Sequence, residues 1–157
     1  MTMPTETVLI TGASAGIGKE LARVFATDGS NLILVARREQ EINDLAEQLR
    51  NEFVIEAWAI AADLADRSAP QEVFDKVEAL GLAVDVLVNN AGFGQSGRFE
   101  RIETKRQLDM IEVNVSALTH LTRLFLPGIV ARKRGGVLNV ASTAGFQPGP
   151  LMAVYYA

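Results

Sequence analysis

Residues 11–18 read TGASAGIG, three glycines spaced G-x-x-x-G-x-G between an apolar run and a helical pattern. Such a turn suits a diphosphate. Gly12 permits a tight turn, Gly16 leaves no side chain in the way of an anion, and Gly18 lets the helix lie close to its strand. The helix start then offers unpaired N–H groups and the positive end of its dipole. Ser14 and Ile17 belong to the same turn. After the second apolar run come Ala36-Arg37-Arg38. An acidic residue here would read a ribose 2′-hydroxyl; two guanidinium groups instead suit a 2′-phosphate, through paired charge-assisted hydrogen bonds. The same arginines could simply begin a solvated helix. Asp63-Leu64, Asn89-Asn90-Ala91-Gly92 and Ser142 follow three further apolar runs, and Asn114 interrupts the pattern MIEVNVSAL. A mid-helix asparagine competes for backbone groups, which predicts a specific hydrogen bond or a chemical use.

The elements that must position these residues alternate. Strands are predicted at Glu6–Thr11, Asn31–Ala36, Val54–Ala61, Val84–Asn89 and Val137–Ser142. Helices are predicted at Gly16–Thr27, Arg38–Phe53, Ser68 to about Leu80, and Thr104–Lys133. Thr104 and Gln107 have capping-box spacing, and Pro127 is expected to bend or break the last helix. Strands apolar on both faces, alternating with helices, predict a doubly wound parallel α/β sheet, in which ligands bind beyond the carboxyl ends of the strands.

Composition narrows the function. The net charge of −4 argues against a nucleic-acid footprint. The chain has no cysteine and one histidine, His120, so thiol chemistry and a His/Cys metal centre are not expected. Arg132-Lys133-Arg134 precedes Gly135-Gly136 and is read as the last turn of a helix, complementing its dipole. The start, MTMPTETVLITG, has neither a basic opening nor a long apolar run, and no stretch is long enough to span a membrane. The expectation is a soluble cytoplasmic protein, with no membrane or nucleic-acid partner.

Together, TGASAGIG, Asp63, the NNAG of residues 89–92, Asn114, Ser142, and Tyr155 thirteen residues after that serine resemble the short-chain dehydrogenase/reductase family over essentially the whole chain. The resemblance implies a Rossmann fold with sheet order 3-2-1-4-5-6-7 and hydride transfer between a nicotinamide cofactor and a small carbonyl or alcohol substrate. Gly12, Ser14, Ile17 and Gly18 would form the diphosphate turn. Arg37, with Arg38 beside it, would take the 2′-phosphate, favouring NADP(H) over NAD(H). Asp63 and Leu64 would meet adenine, and Asn90, Ala91 and Gly92 would lie behind the nucleotide ribose. Asn114 would bend its helix and hold a proton-relay water, Ser142 would orient the substrate carbonyl, and Tyr155 would be the acid/base. Tyr156 is read as a packing or pocket-lining residue. Phe93, Phe146, Leu151 and Met152 are read as an apolar lining of the substrate side, or simply as packing residues.

The family motif Y-x-x-x-K would put a lysine two residues beyond Ala157. A free phenol titrates near pH 10, and a neighbouring ammonium moves it toward neutrality. The expectation is therefore a single NADP(H)-binding domain over 1–157, C-terminally incomplete and lacking the last strands and helices of the fold. On that reading the chain has little activity as it stands, with β-edge and apolar surface left for self-association or a complementing C-terminal segment. The alternative is a non-catalytic NADP(H)-binding module or subunit, against which Ser142 and Tyr155 both argue.

Overall fold

A computed structural model describes residues 5–157; the leader reading of Met1–Pro4 lies outside them. Five strands, β1 (Thr7–Thr11), β2 (Asn31–Ala36), β3 (Ala57–Ala61), β4 (Val86–Asn89) and β5 (Gly136–Asn139), form one parallel sheet in the order β3-β2-β1-β4-β5. The connecting helices are α1 (Gly16–Thr27), α2 (Glu39–Glu52), α3 (Ala69–Ala79), α4 (Thr104–Ile111) and α5 (Leu118–Arg132); a short α6 (Ala153–Tyr156) follows.

The two-residue period of a strand divides the core cleanly. Val8, Ile10, Leu32 and Leu34 face one layer with Ala22 and Ala26 of α1 and Ile42, Leu45 and Leu49 of α2. Leu9, Ile33, Val35 and Leu87 face the other, with Val73 and Val77 of α3 and Leu121, Phe125 and Ile129 of α5. All five residues of β1 are buried, because this strand is covered on both faces and paired on both edges.

Three expectations are corrected. The long helix Thr104–Lys133 is interrupted by a π-helical turn, Glu112–Ala117. The capping box does not form: Glu103 occupies the N-cap, and the Gln107 amide donates to the carbonyls of Phe99 (2.8 Å) and Ile102 (3.2 Å) instead. Of the bend or break expected at Pro127, the break does not occur: the proline sits inside α5, which runs on to Arg132. Phe125 and Ile129 on either side are each 5% exposed, and their burial holds the helix on the sheet despite the missing N–H. Strand boundaries also contract: β3 starts at Ala57 rather than Val54, whose side chain is fully exposed, and β5 stops at Asn139.

The basic cluster has a partner that the sequence did not disclose. Asp85, with its side chain 3% exposed, accepts from Arg132 Nε (3.2 Å), from Arg134 Nε (3.0 Å) and Nη2, and from the Thr7 backbone N–H (3.1 Å). Its own N–H donates to the Thr7 carbonyl at 2.9 Å, and its carbonyl accepts from Gly136 at 3.0 Å. Lys133 takes the left-handed C-cap conformation (φ 55°), and Gly135 (φ 89°) passes so close that a Cβ would lie 1.8 Å from the Asp85 carbonyl oxygen. Asp85 thus ties β1, β4, β5 and the end of α5 together. Burial by itself would raise its pKa, but the hydrogen bonds and charge of Arg134, with Thr7 and Arg132, outweigh it and leave the carboxyl below its ordinary value.

Removing the Asp85 carboxylate leaves two arginines without their buried counter-charge. Asp85→Ala is expected to lower the unfolding free energy by about 3–5 kcal/mol in urea titrations at pH 7. Because the folded pKa is depressed, the stabilisation is complete above the unfolded value of about 4 and is lost as pH falls through the folded one. The gap between wild type and variant should therefore narrow below about pH 4.

Candidate active site

The carboxyl ends of β1, β2, β4 and β5 open into one cavity of about 990 Å³. Gly12, Ser14, Ile17, Arg37, Arg38, Asp63, Leu64, Asn90, Ala91, Gly92, Asn114, Ser142 and Tyr155 all line it. Of the residues singled out from the sequence as site candidates, Gly16, Gly18, Leu151 and Met152 stand outside that lining. Gly18 lies beneath it, where a Cβ would come within 2.4 Å of both the Gly12 carbonyl oxygen and Asn90 Nδ2. The third glycine is thus a packing requirement. Nothing lies within 4 Å of a Cβ position on Gly16, which leaves that side of the turn open, and its left-handed φ of 55° favours glycine as well.

The turn is locked to the neighbouring strand by a residue the sequence reading passed over. Thr11 Oγ1 accepts from the N–H groups of Asn90 and Ala91, both at 3.0 Å, and donates to the Val88 carbonyl at 3.3 Å. Asn90 Nδ2 donates back to the carbonyls of Thr11 (2.9 Å) and Gly12 (3.3 Å). The amide of Asn90 is therefore committed to holding the turn. The available clue to Thr11 was a hydroxyl at the end of an otherwise apolar strand, 1% exposed in the fold.

An anion fits the turn. Ala15 at the N-cap of α1 supplies no side-chain acceptor, and the first turn carries no acid, so no side chain competes for the helix's leading N–H groups. On the β2 side, Arg38 donates to Ser14 Oγ (3.1 Å) and pairs with Glu41 (2.8 Å). Arg37 is exposed at the cavity wall with no hydrogen bond or ion pair to any described residue. Asp63 Oδ1 accepts from the Ala65 N–H (3.1 Å) in a local turn, and Leu64 is buried beside it.

On the opposite wall, Asn114 lies in the π-helical turn and its amide closes a two-way bridge to Phe93. Oδ1 accepts from the Phe93 N–H (3.1 Å), and Nδ2 donates to the Phe93 carbonyl (2.9 Å). Gly92 leaves room for this, since a Cβ there would sit 3.2 Å from Asn114 Oδ1. Ser142 Oγ accepts from the Ala144 N–H (3.1 Å), which fixes the oxygen and leaves its hydrogen free to point into the cavity. Tyr155 and Tyr156 meet edge to face, ring centroids 6.0 Å apart. Phe93, covered by the Arg106 guanidinium at 4.0 Å, and Phe146 line the cavity as expected. Leu151 and Met152 do not join that lining: the exposed Leu151 (φ 65°) is turned to the surface while its carbonyl accepts from the Gly97 N–H at 2.8 Å, and Met152 Cε lies beside Gly94. Among the described residues no group of three or more His, Cys, Asp or Glu could hold a metal, and no helix is long and apolar enough to cross a membrane.

Comparison with known proteins matches this arrangement to one family, described as short chain dehydrogenase, over residues 6–157. The chain belongs to the short-chain dehydrogenase family. Its curated relatives include very-long-chain 3-oxoacyl-CoA reductases. That of Phaeosphaeria nodorum is 40% identical over 94% of this chain and 44% of its own length; that of Homo sapiens is 31% identical over 97% and 49%. The chain therefore spans about half the length of the curated relatives it matches. Among solved structures, the bulky-bulky ketone specific alcohol dehydrogenase of Comamonas testosteroni superposes with a TM-score of 0.90 at 34% identity, covering 98% of this chain and 61% of the other. A short-chain dehydrogenase of Sphingobium yanoikuyae in complex with NADPH gives 0.89 at 37%, covering 96% and 59%.

Thr11→Val keeps the shape and deletes the hydroxyl shared by two buried N–H groups. It is expected to cost about 2 kcal/mol of stability in chemical denaturation. NADPH binding should weaken with it, whereas Thr27→Val on the exposed end of α1 should change neither.

Proposed function

We propose that this dehydrogenase binds NADP(H) in preference to NAD(H) and transfers hydride between the nicotinamide and a small carbonyl or alcohol substrate. The observation that carries the reading is the convergence, in one cavity, of an uncapped glycine turn with two arginines on one wall and Asn114, Ser142 and Tyr155 on the other. Gly12, Ser14, Ile17 and Gly18 form the diphosphate turn in this reading, Arg37 and Arg38 take the 2′-phosphate, Asp63 and Leu64 border adenine, and Asn90, Ala91 and Gly92 stand behind the ribose. Bound NADPH supplies the hydride from its nicotinamide ring. Ser142, its oxygen held by Ala144, donates its hydrogen to the substrate carbonyl oxygen, orienting it and stabilising the charge that develops there. Tyr155 donates the proton that completes the alcohol, and in the reverse direction accepts it. Asn114 fixes the Phe93 strap of the wall and is the member of the set assigned to the proton-relay water.

The relatives that are 3-oxoacyl-CoA reductases make a 3-oxoacyl thioester the first ketone to test. Lys105, the lysine of the cavity wall, pairs with Asp109 at 2.7 and 2.9 Å rather than with Tyr155. Turnover by residues 1–157 by themselves is accordingly proposed to be low, with cofactor capture intact. Along β5, whose outer edge pairs with no described strand, and the exposed Val130 and Leu126 of α5, self-association or a complementing segment is proposed.

Calorimetric titration tests the reading. NADPH is expected to bind at least tenfold more tightly than NADH, a difference of about 1.4 kcal/mol. Arg37→Ala with Arg38→Ala should abolish the difference while leaving NADH affinity unchanged. Equal affinities in the parent chain would remove the NADP(H) assignment, and absence of binding to a folded sample would remove the nucleotide site altogether.

A further inference from the structure

Two glycines in separate loops carry the rings of the two tyrosines. A Cβ on Gly94 would lie 3.2 and 3.3 Å from Cδ2 and Cγ of Tyr155 and 3.1 Å from Cε of Met152. A Cβ on Gly149 would lie 2.3–2.4 Å from three carbons of the Tyr156 ring. The loops are joined to each other by the Gly97 N–H to Leu151 carbonyl bond at 2.8 Å, and Met152 accepts from the Tyr156 N–H at 3.0 Å. Gly94 does not have the left-handed backbone that excludes side chains, so space alone opposes one there.

What would yield to a Cβ at Gly94 follows from how each neighbour is held. The strap before it cannot retreat, because Asn114 grips both the N–H and the carbonyl of Phe93, and Gly97 is tied to Leu151 a few residues on. Met152 Cε is the free end of a flexible side chain and can turn aside. The Tyr155 ring is left to move, and no hydrogen bond to a described residue restrains its hydroxyl. We infer that Gly94 is a positioning residue for Tyr155: the bare backbone of the 93–97 strap is the surface against which the phenol ring is set. The Asn114–Phe93 bridge acts through it, so that the π-helical turn and the tyrosine are linked by one continuous line of contacts. This rests on the reading of Tyr155 as the proton donor, and it explains why a glycine is needed where neither a turn nor an anion requires one.

The chain has two tyrosines, so Tyr156→Phe leaves Tyr155 as the sole phenol. With 3-fluorotyrosine incorporated in that background, fluorine NMR reports the Tyr155 ring alone. Gly94→Ala is expected to displace or split the resonance while NADPH affinity stays within about twofold, since distant sites act independently. Gly136→Ala, at a glycine with nothing within 4 Å, should leave the resonance in place. Adding Met152→Ala should not restore the parent signal. As a second measure, Gly94→Ala should lower the melting temperature of the parent but not of a Tyr155→Ala chain, where the obstructing ring is gone; this comparison holds even where Gly94→Ala folds poorly by itself. An unmoved resonance in folded Gly94→Ala, full restoration by Met152→Ala, or an equal thermal loss in both backgrounds would overturn the assignment. Loss of NADPH binding by the parent chain would sink the functional reading instead, and leave the ring result to be judged separately.

Discussion

The structure depends on how closely β1 and β4 approach at their carboxyl ends, and on one hydroxyl that makes the approach possible. Thr11 Oγ1 receives two consecutive N–H groups from the chain leaving β4, while Asn90 returns its amide to the chain leaving β1. Neither exchange fits unless Gly12 and Gly18 lack side chains, because Cβ atoms there would fall 2.9 and 2.4 Å from Asn90 Nδ2. Backbone groups that would otherwise stay buried and unpaired are thereby satisfied at the point where the sheet must open to a ligand. The glycine turn, the helix that follows it and the loop after β4 are consequences of this one crossing.

At the opposite end of the same two strands Asp85 plays a comparable part with charge instead of neutral hydrogen bonds. It sits where β1 begins, β4 begins and β5 begins, and it draws in the arginines at the end of α5. The sheet is therefore pinned at both ends of its central strands, and the layers of apolar side chains between them have their register settled before packing refines it. Depressing the Asp85 pKa is a by-product of that arrangement.

Much of this was legible in the residue order. Continuous apolar runs made β1 and β2 visible, glycines between strand and helix marked the turn, and polar residues at strand ends marked the cavity edge. The parts that were not legible share a physical cause: each depends on a competing partner, most often one distant in sequence. Asp85 looks like one more residue of a strand until Arg132 and Arg134 return to it from α5. Gln107 has the right spacing for a cap, but the carbonyls of Phe99 and Ile102 compete for its amide and prevail. Pro127 breaks a helix in isolation and not one whose neighbours Phe125 and Ile129 are buried in the core. The asparagine at 114 was conspicuous by type; the bridge it makes to Phe93 across 21 residues was not.

The π-helical turn at Glu112–Ala117 has an evolutionary reading. It is equivalent to one surplus residue inside a continuous helix. Deleting one residue there would restore an uninterrupted α-helix with both flanks kept in register, because the wider turn absorbs the extra residue. Met110 on one side and Leu121 on the other would keep their places in the core, whereas the turn that carries the amide of Asn114 to Phe93 would be gone. The surplus residue therefore serves the wall of the cavity and not the packing of the helix, and its loss in a descendant would be felt at the Phe93 strap before the core.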